Sequence, residues 1–183
     1  MIDIARLLAT NSLNGIVGED YFYEHVHLNF AGNYLVARAV AEQVVTLLPE
    51  AVARRAQATN WLSVAECASR LVWNDWSQRR VLEELRRRLV QAPFTNQMNS
   101  MDRLQRLDRN LDELSPAVQL DGLQRAVLDY RQAVGRAPDD ASFHERLAEL
   151  LGLLGQRREA IAQWEIVGRL LPHHPEFLHN LGN

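Results

Sequence analysis

Gly155-Gln156-Arg157-Arg158-Glu159-Ala160-Ile161-Ala162-Gln163-Trp164-Glu165-Ile166-Val167-Gly168-Arg169-Leu170-Leu171-Pro172 decides how the chain is read. A glycine opens it, a proline closes it, and small and aromatic residues recur between them at helical spacing. Shifted by thirty-four residues, the chain matches itself. Ala160 falls on Ala126, Trp164 on Tyr130, Val167 on Ala133 and Pro172 on Pro138. The same register carries His144 onto Leu178, Leu147 onto Leu181 and Ala148 onto Gly182. Small residues let antiparallel helices approach, a large aromatic fills the gap to the next pair, and proline stops the second helix.

Glu159-Ala160-Ile161, with Gly155 upstream and Leu171-Pro172 downstream, resembles the tetratricopeptide repeat (TPR). The resemblance covers one full unit at 141–174, the second half of a preceding unit at about 117–140, and the opening of a third at Pro175 to Asn183. Leu114 stands where the unit at 107–140 should have a small residue, which makes that unit degenerate or capping. The pattern stops in the first helix of a pair, so the chain reads as a piece of something longer. The resemblance implies a stack of helix pairs whose concave face binds a protein or peptide, with His144, Arg146, Leu151 and Arg136 as residues able to face it.

Working outward, each segment after about residue 33 carries a helix period. Asn74 or Asp75 can cap a helix bearing Leu82, Leu85 and Leu89, which ends by Ala92-Pro93. Thr95 can cap the next, with the stripe Met101, Leu104, Leu107, Leu111 and Leu114. Ser115-Pro116 sets a cap and a first-turn proline before Leu120, Leu123, Val127, Tyr130 and Val134. Ser63 and Glu66 have capping-box spacing. Near the amino end, Ile2 to Leu8 reads as a short buried strand running into a helix, and Asn11 to Asp20 as a loop.

Composition narrows the function classes. The chain of 183 residues is 47% hydrophobic and 23% charged, the balance of a globular protein. A net charge of −3 gives no electrostatic case for nucleic acid, and no run is long enough to span a membrane. There is no amino-terminal signal, which makes the cytoplasm the default compartment. All 20 basic residues are arginine, so phosphate-loop lysines and Schiff-base chemistry are excluded. The arginines at 79, 80 and 86–88 lie at salt-link spacing from Glu83 and Glu84, as on an exposed helix face. Cys67 stands alone inside a helical pattern and reads as a buried structural thiol. No cofactor is called for.

One segment carries chemistry. Phe22-Tyr23-Glu24-His25-Val26-His27-Leu28-Asn29-Phe30-Ala31-Gly32-Asn33 places a carboxylate, two imidazoles and a turn glycine ahead of a helix bearing Val36, Val40, Val44 and Leu47. Glu24-x-x-His27-Leu28, with Gly32 following, resembles the carboxyl-terminal motif of the SGNH (GDSL-type) esterases and acyl-hydrolases. In that family an acid three residues before a histidine orients the imidazole, which deprotonates a serine. Glu24 would be the acid and His27 the base of a triad whose serine belongs to a longer parent. Two features depart from the family pattern: the acid is usually aspartate, and Ser12 does not occupy the strand-to-helix turn required of the nucleophile. Metal binding by the His25 and His27 imidazoles, which flank one residue with Glu24 adjoining them, is the other functional reading, with no further ligand placed nearby to complete it. The plainest reading makes Tyr23, His25 and Phe30 packing residues of a helix-capping loop.

Together these readings predict an all-α chain of TPR-like helix-pair repeats, preceded by a strand, loop and helix remnant of an α/β hydrolase-type domain. The segments are 1–52 for the hydrolase-like remnant, 53–115 for a helical connector and 116–183 for truncated repeats. The expected activity is protein or peptide binding, non-catalytic in this chain.

Overall fold

The computed structural model describes residues 2–53 and 61–173. Among them every regular element is helical, and the only extended pairing is one antiparallel bridge between Phe22 and Leu28. The chain divides into two compact units, Met1–Cys67 and Ala68–Asn183. The opening of a third repeat at 175–183, and its pairings with His144, Leu147 and Ala148, lie outside the described residues.

The first unit opens with helix α1 (Ile4–Asn11), where a strand was expected. Asp3 decides it: the carboxylate accepts the Arg6 amide at 2.9 Å and caps the first turn, whereas a strand needs a partner and the described residues offer none. Helix α2 (Phe30–Leu47) starts three residues earlier than the expected Asn33, because Asn29 caps it by accepting the Gly32 amide at 3.0 Å. Gly32 therefore sits in the first helical turn and not in a preceding loop. A Cβ there would meet the Tyr21 carbonyl oxygen and lie 2.9 Å from Leu28 Cδ2, so only glycine lets the loop close against the helix. After Pro49 comes a single turn, α3 (Glu50–Ala53), and then α4 (Val64–Arg70), which runs into the second unit. Its capping box forms as spaced: Glu66 Oε2 accepts the Ser63 amide at 2.7 Å, and Ser63 Oγ accepts the Glu66 amide at 3.2 Å. Cys67 is half-buried, not enclosed.

The second unit holds the core. Helices α5 (Asp75–Leu89), α6 (Ser100–Glu113), α7 (Leu120–Arg136), α8 (Ala141–Leu153) and α9 (Arg157–Leu170) follow in order. Asn74 caps α5 by accepting the Ser77 amide at 3.1 Å. Helix α6 starts at Ser100, not after Thr95, because 94–96 form a tight 3₁₀ turn, and Ser115-Pro116 likewise opens a 3₁₀ turn before α7. The main cluster buries Val72, Trp76, Val127, Tyr130, Leu147 and Leu150 among others. A smaller one joins Leu89 of α5 to Leu107 and Leu111 of α6.

The thirty-four-residue register has a structural counterpart. Ala126 and Ala160, Tyr130 and Trp164, and Ala133 and Val167 are all buried. Helices α7 and α9 also end alike: the Ala137 amide donates to the Ala133 carbonyl at 2.9 Å, and the Leu171 amide to the Val167 carbonyl at 2.8 Å. The closing residues have the same backbone, φ −139° and ψ 73° at Ala137 against φ −129° and ψ 68° at Leu171. Gly155, at φ +71°, makes the turn from α8 into α9.

The helix that packs on α7 and α8 from the amino side is α5, not the expected segment ending at Leu114. Trp76 of α5 meets Tyr130 of α7 edge to face, with ring centroids 5.8 Å apart, and Tyr130 meets Phe143 of α8 at 6.3 Å. Arg80 of α5 stacks over the Trp76 ring at 4.9 Å and forms an ion pair with Glu149 of α8. Helix α6 instead folds back on α5 through the leucine cluster, an ion pair of 2.6 Å between Arg86 and Asp108, and donation from Arg79 to the Leu111 carbonyl. The segment read as a connector thus supplies part of the core of the second unit.

Candidate functional site

The chemistry-bearing loop is closed by its own backbone. The Tyr23 amide donates to the His27 carbonyl at 2.9 Å, and the Asn29 amide to the Tyr21 carbonyl at 2.9 Å. Residues 23–27 therefore form a small hairpin-like turn above the Phe22–Leu28 bridge. Asn29 ties this turn to the helix: while its side-chain oxygen caps α2, its amide donates to the Glu19 and Asp20 carbonyls at 3.0 Å each. Tyr21 anchors the other end, its hydroxyl donating to the Asn11 carbonyl at 3.1 Å.

Inside the turn, Glu24 is buried and its side chain is only 1% exposed, while the side chains of His25 and His27 are 55% and 58% exposed. A carboxylate in that position is tolerated only with its oxygens satisfied. Oε1 accepts the His27 amide at 2.9 Å and pairs with His27 Nδ1. Oε2 accepts the Val26 amide at 3.1 Å and lies 2.6 Å from His25 Nδ1. Burial pushes the Glu24 carboxyl up, but the His27 side chain and amide, the Val26 amide and the His25 charge together outweigh it and hold the group below the usual carboxylate range. Beside it, burial alone pushes the Tyr23 hydroxyl up to about 12.

The arrangement fixes a tautomer. A carboxylate anion is acceptor-only, so neutral His27 carries its proton on Nδ1 and keeps its lone pair on Nε2. The result is a solvent-accessible base backed by a buried anion, able to take a proton from a group brought to Nε2. Among the described residues no serine hydroxyl bonds to His27; Ser12 donates to the Leu8 carbonyl at 3.0 Å instead. Also among the described residues, no group of three or more His, Cys, Asp or Glu side chains is arranged to hold a metal ion.

The residues expected on a concave face fare differently. Leu151 is 1% exposed and belongs to the core, so it offers no binding surface. His144 is 3% exposed, with Nδ1 2.7 Å from Gln163 Oε1 and Nε2 2.9 Å from the Pro138 carbonyl, a structural bolt between α8, α9 and the turn before α8. Both follow from helix geometry: α8 packs against α7 and α9, and the faces it turns to them carry these side chains. Arg146 keeps part of its surface and pairs with Glu149 at 3.0 Å, the same carboxylate that Arg80 reaches from α5. Arg136 is exposed and donates to the Arg70 carbonyl at 3.4 Å.

Sequence reasoning missed three contributors: Asn29, Gly32 as a close-approach residue, and His25 as a partner of Glu24. The Asn29-x-x-Gly32 spacing ahead of an apolar helix is an N-cap signal that marks the first two. No pattern distinguishes His25 from any exposed histidine. No protein-family model, no curated protein and no solved structure matches this chain.

Proposed function

We propose that the loop at 23–27 is the acid–base half of an SGNH-type acyl-ester hydrolase or acyltransferase site, with Glu24 as orienting acid and His27 as general base. The observation that carries this reading is the pairing of His27 Nδ1 with a buried carboxylate, which aims a lone pair outward from Nε2. The nucleophile is a serine supplied by a further segment of a longer parent protein or by a partner chain. His27 Nε2 takes the serine proton as Oγ attacks the acyl carbon and returns it to the leaving alkoxide; water then releases the acyl group with the same base. The test is hydrolysis of a p-nitrophenyl ester by the protein expressed from its complete reading frame. His27→Ala should lower kcat by at least about a thousandfold, and Glu24→Ala by about a hundredfold or more. Turnover unchanged by His27→Ala sinks the assignment.

The repeat-like register of the second unit favours a second reading for that region, a TPR-type scaffold for a protein or peptide. Its support is the matched burial and matched helix ends thirty-four residues apart, the periodicity on which stacked helix pairs are built. Arg146 and Arg136 are the sequence-nominated contacts that still have surface. A peptide array should yield a ligand whose binding is lost on Arg146→Ala with helicity unchanged by circular dichroism. Binding that survives this change places the contact elsewhere.

A further inference from the structure

We infer that His25 is a positioning residue for the Glu24–His27 pair, clamping the second carboxylate oxygen so that the first stays on the His27 ring. Its consequence for catalysis rests on the hydrolase reading above; the clamp itself does not.

An ionised carboxylate has about four acceptor sites, and here three hydrogen-bond donors and one ion-pair partner meet it. The Val26 and His27 amides each donate to one oxygen, His27 Nδ1 pairs with Oε1, and His25 Nδ1 lies against Oε2 as an ion-pair partner. With a side chain only 1% exposed, Glu24 has little access to water as a substitute for any of them. The terminal torsion of a glutamate is soft and roughly two-fold, so the carboxylate plane turns easily unless both oxygens are held. Without His25, Oε2 would keep only the Val26 amide at 3.1 Å, the longest of these contacts. His25 sits 2.6 Å from Oε2, the oxygen that His27 does not use, and so opposes that rotation.

The side chains acting on Glu24 are His27, through its hydrogen bond, and His25, through its charge, both from the loop itself. Tyr23 is neutral across the physiological range. In this loop one anion serves two imidazoles. A ring nitrogen 2.6 Å from a carboxylate oxygen has to carry a proton, so the clamp requires Nδ1–H on His25.

The test uses the full chain labelled with ¹⁵N-histidine, read by long-range proton–nitrogen correlation at mildly alkaline pH. In the wild type both His25 and His27 should show a protonated Nδ1. An unprotonated His25 Nδ1 overturns the inference without any mutation. In His25→Ala the Nδ1–H population of His27 should fall several-fold, and His25→Asn, which restores a donor at that position, should recover it. An unchanged His27 signal in His25→Ala, with amide spectra showing the fold intact, also overturns it.

In the complete enzyme His25→Ala should lower kcat by about tenfold at unchanged KM, the usual cost of losing an outer partner that orients a working group. Equal kcat in wild type and His25→Ala refutes a positioning role in turnover. Absence of ester hydrolysis in every form, with the imidazole signatures intact, refutes the hydrolase reading and leaves the clamp standing.

Discussion

Helices α2 and α7 are nearly the same length, 18 and 17 residues, yet α2 buries only Gly32 whereas α7 buries Gly122, Ala126, Val127, Tyr130 and Ala133. The two regions are organised by different physics. In the second unit the helices are held by removal of apolar surface from water, with aromatic rings of α5, α7 and α8 meeting at the centre. In the first unit the organising centre is polar: a buried carboxylate, its three hydrogen-bond donors and a second imidazole paired with it, and an asparagine that serves the loop and the helix at once. Val40, Val44, Val45 and Leu47 of α2 remain exposed. An apolar sequence period therefore says that a helix forms, not that this chain buries it.

Four measurements break or sharpen that contrast. The largest effect belongs to Trp76→Ala, which empties the site facing Tyr130 and removes the stack under Arg80. A loss of about 3–5 kcal/mol is expected in urea unfolding followed by far-ultraviolet circular dichroism. Amide exchange of Val26 and His27 should be unchanged by it; a matching rise there would mean that the two units do not behave separately. Next, Gly32→Ala drives a methyl group into the Tyr21 carbonyl and should destabilise the first unit by about 1–3 kcal/mol, read as faster exchange of the Asn29 and His27 amides.

Acidification probes the polar centre directly. Because the folded-state Glu24 carboxyl titrates below its unfolded value, its contribution is fully present above the usual carboxylate range and is lost as pH falls through the folded value. Protection of the Val26 and His27 amides should collapse in that acid window in the wild type. Protection that persists through that window would show that the Glu24 carboxylate does not hold the loop. The smallest effect is expected from Val44→Ser, on the exposed face of α2, which should shift stability by no more than about 0.5 kcal/mol. A cost as large as that of Trp76→Ala would show that α2 is buried after all.

Much of the second unit was legible because its signals are local. The Asn74 cap, the Gly155 turn and the thirty-four-residue register each depend on residues close in sequence or repeated at fixed spacing, as does the Ser63–Glu66 capping box at the end of the first unit. Expectations failed where a local signal had a close competitor. Ile2 to Leu8 satisfies a short apolar run, but Asp3 turns it into a helix. Thr95 and Ser115 are plausible caps that the chain spends on 3₁₀ turns. His144 and Leu151 look like surface on a helical wheel until the positions of α7 and α9 are known.

By itself the sequence determined the helical character of the chain, several helix ends and the pairing of the Glu24 carboxylate with the His27 ring, because spacing along a chain sets which groups share a turn or a face. Only the tertiary structure decided that α5 rather than α6 packs on α7 and α8, that His144 and Leu151 are interior, and that both imidazoles converge on one carboxylate. Those outcomes turn on which surfaces exclude water from one another and on the closure of a loop around a charge, and neither is encoded at any single spacing.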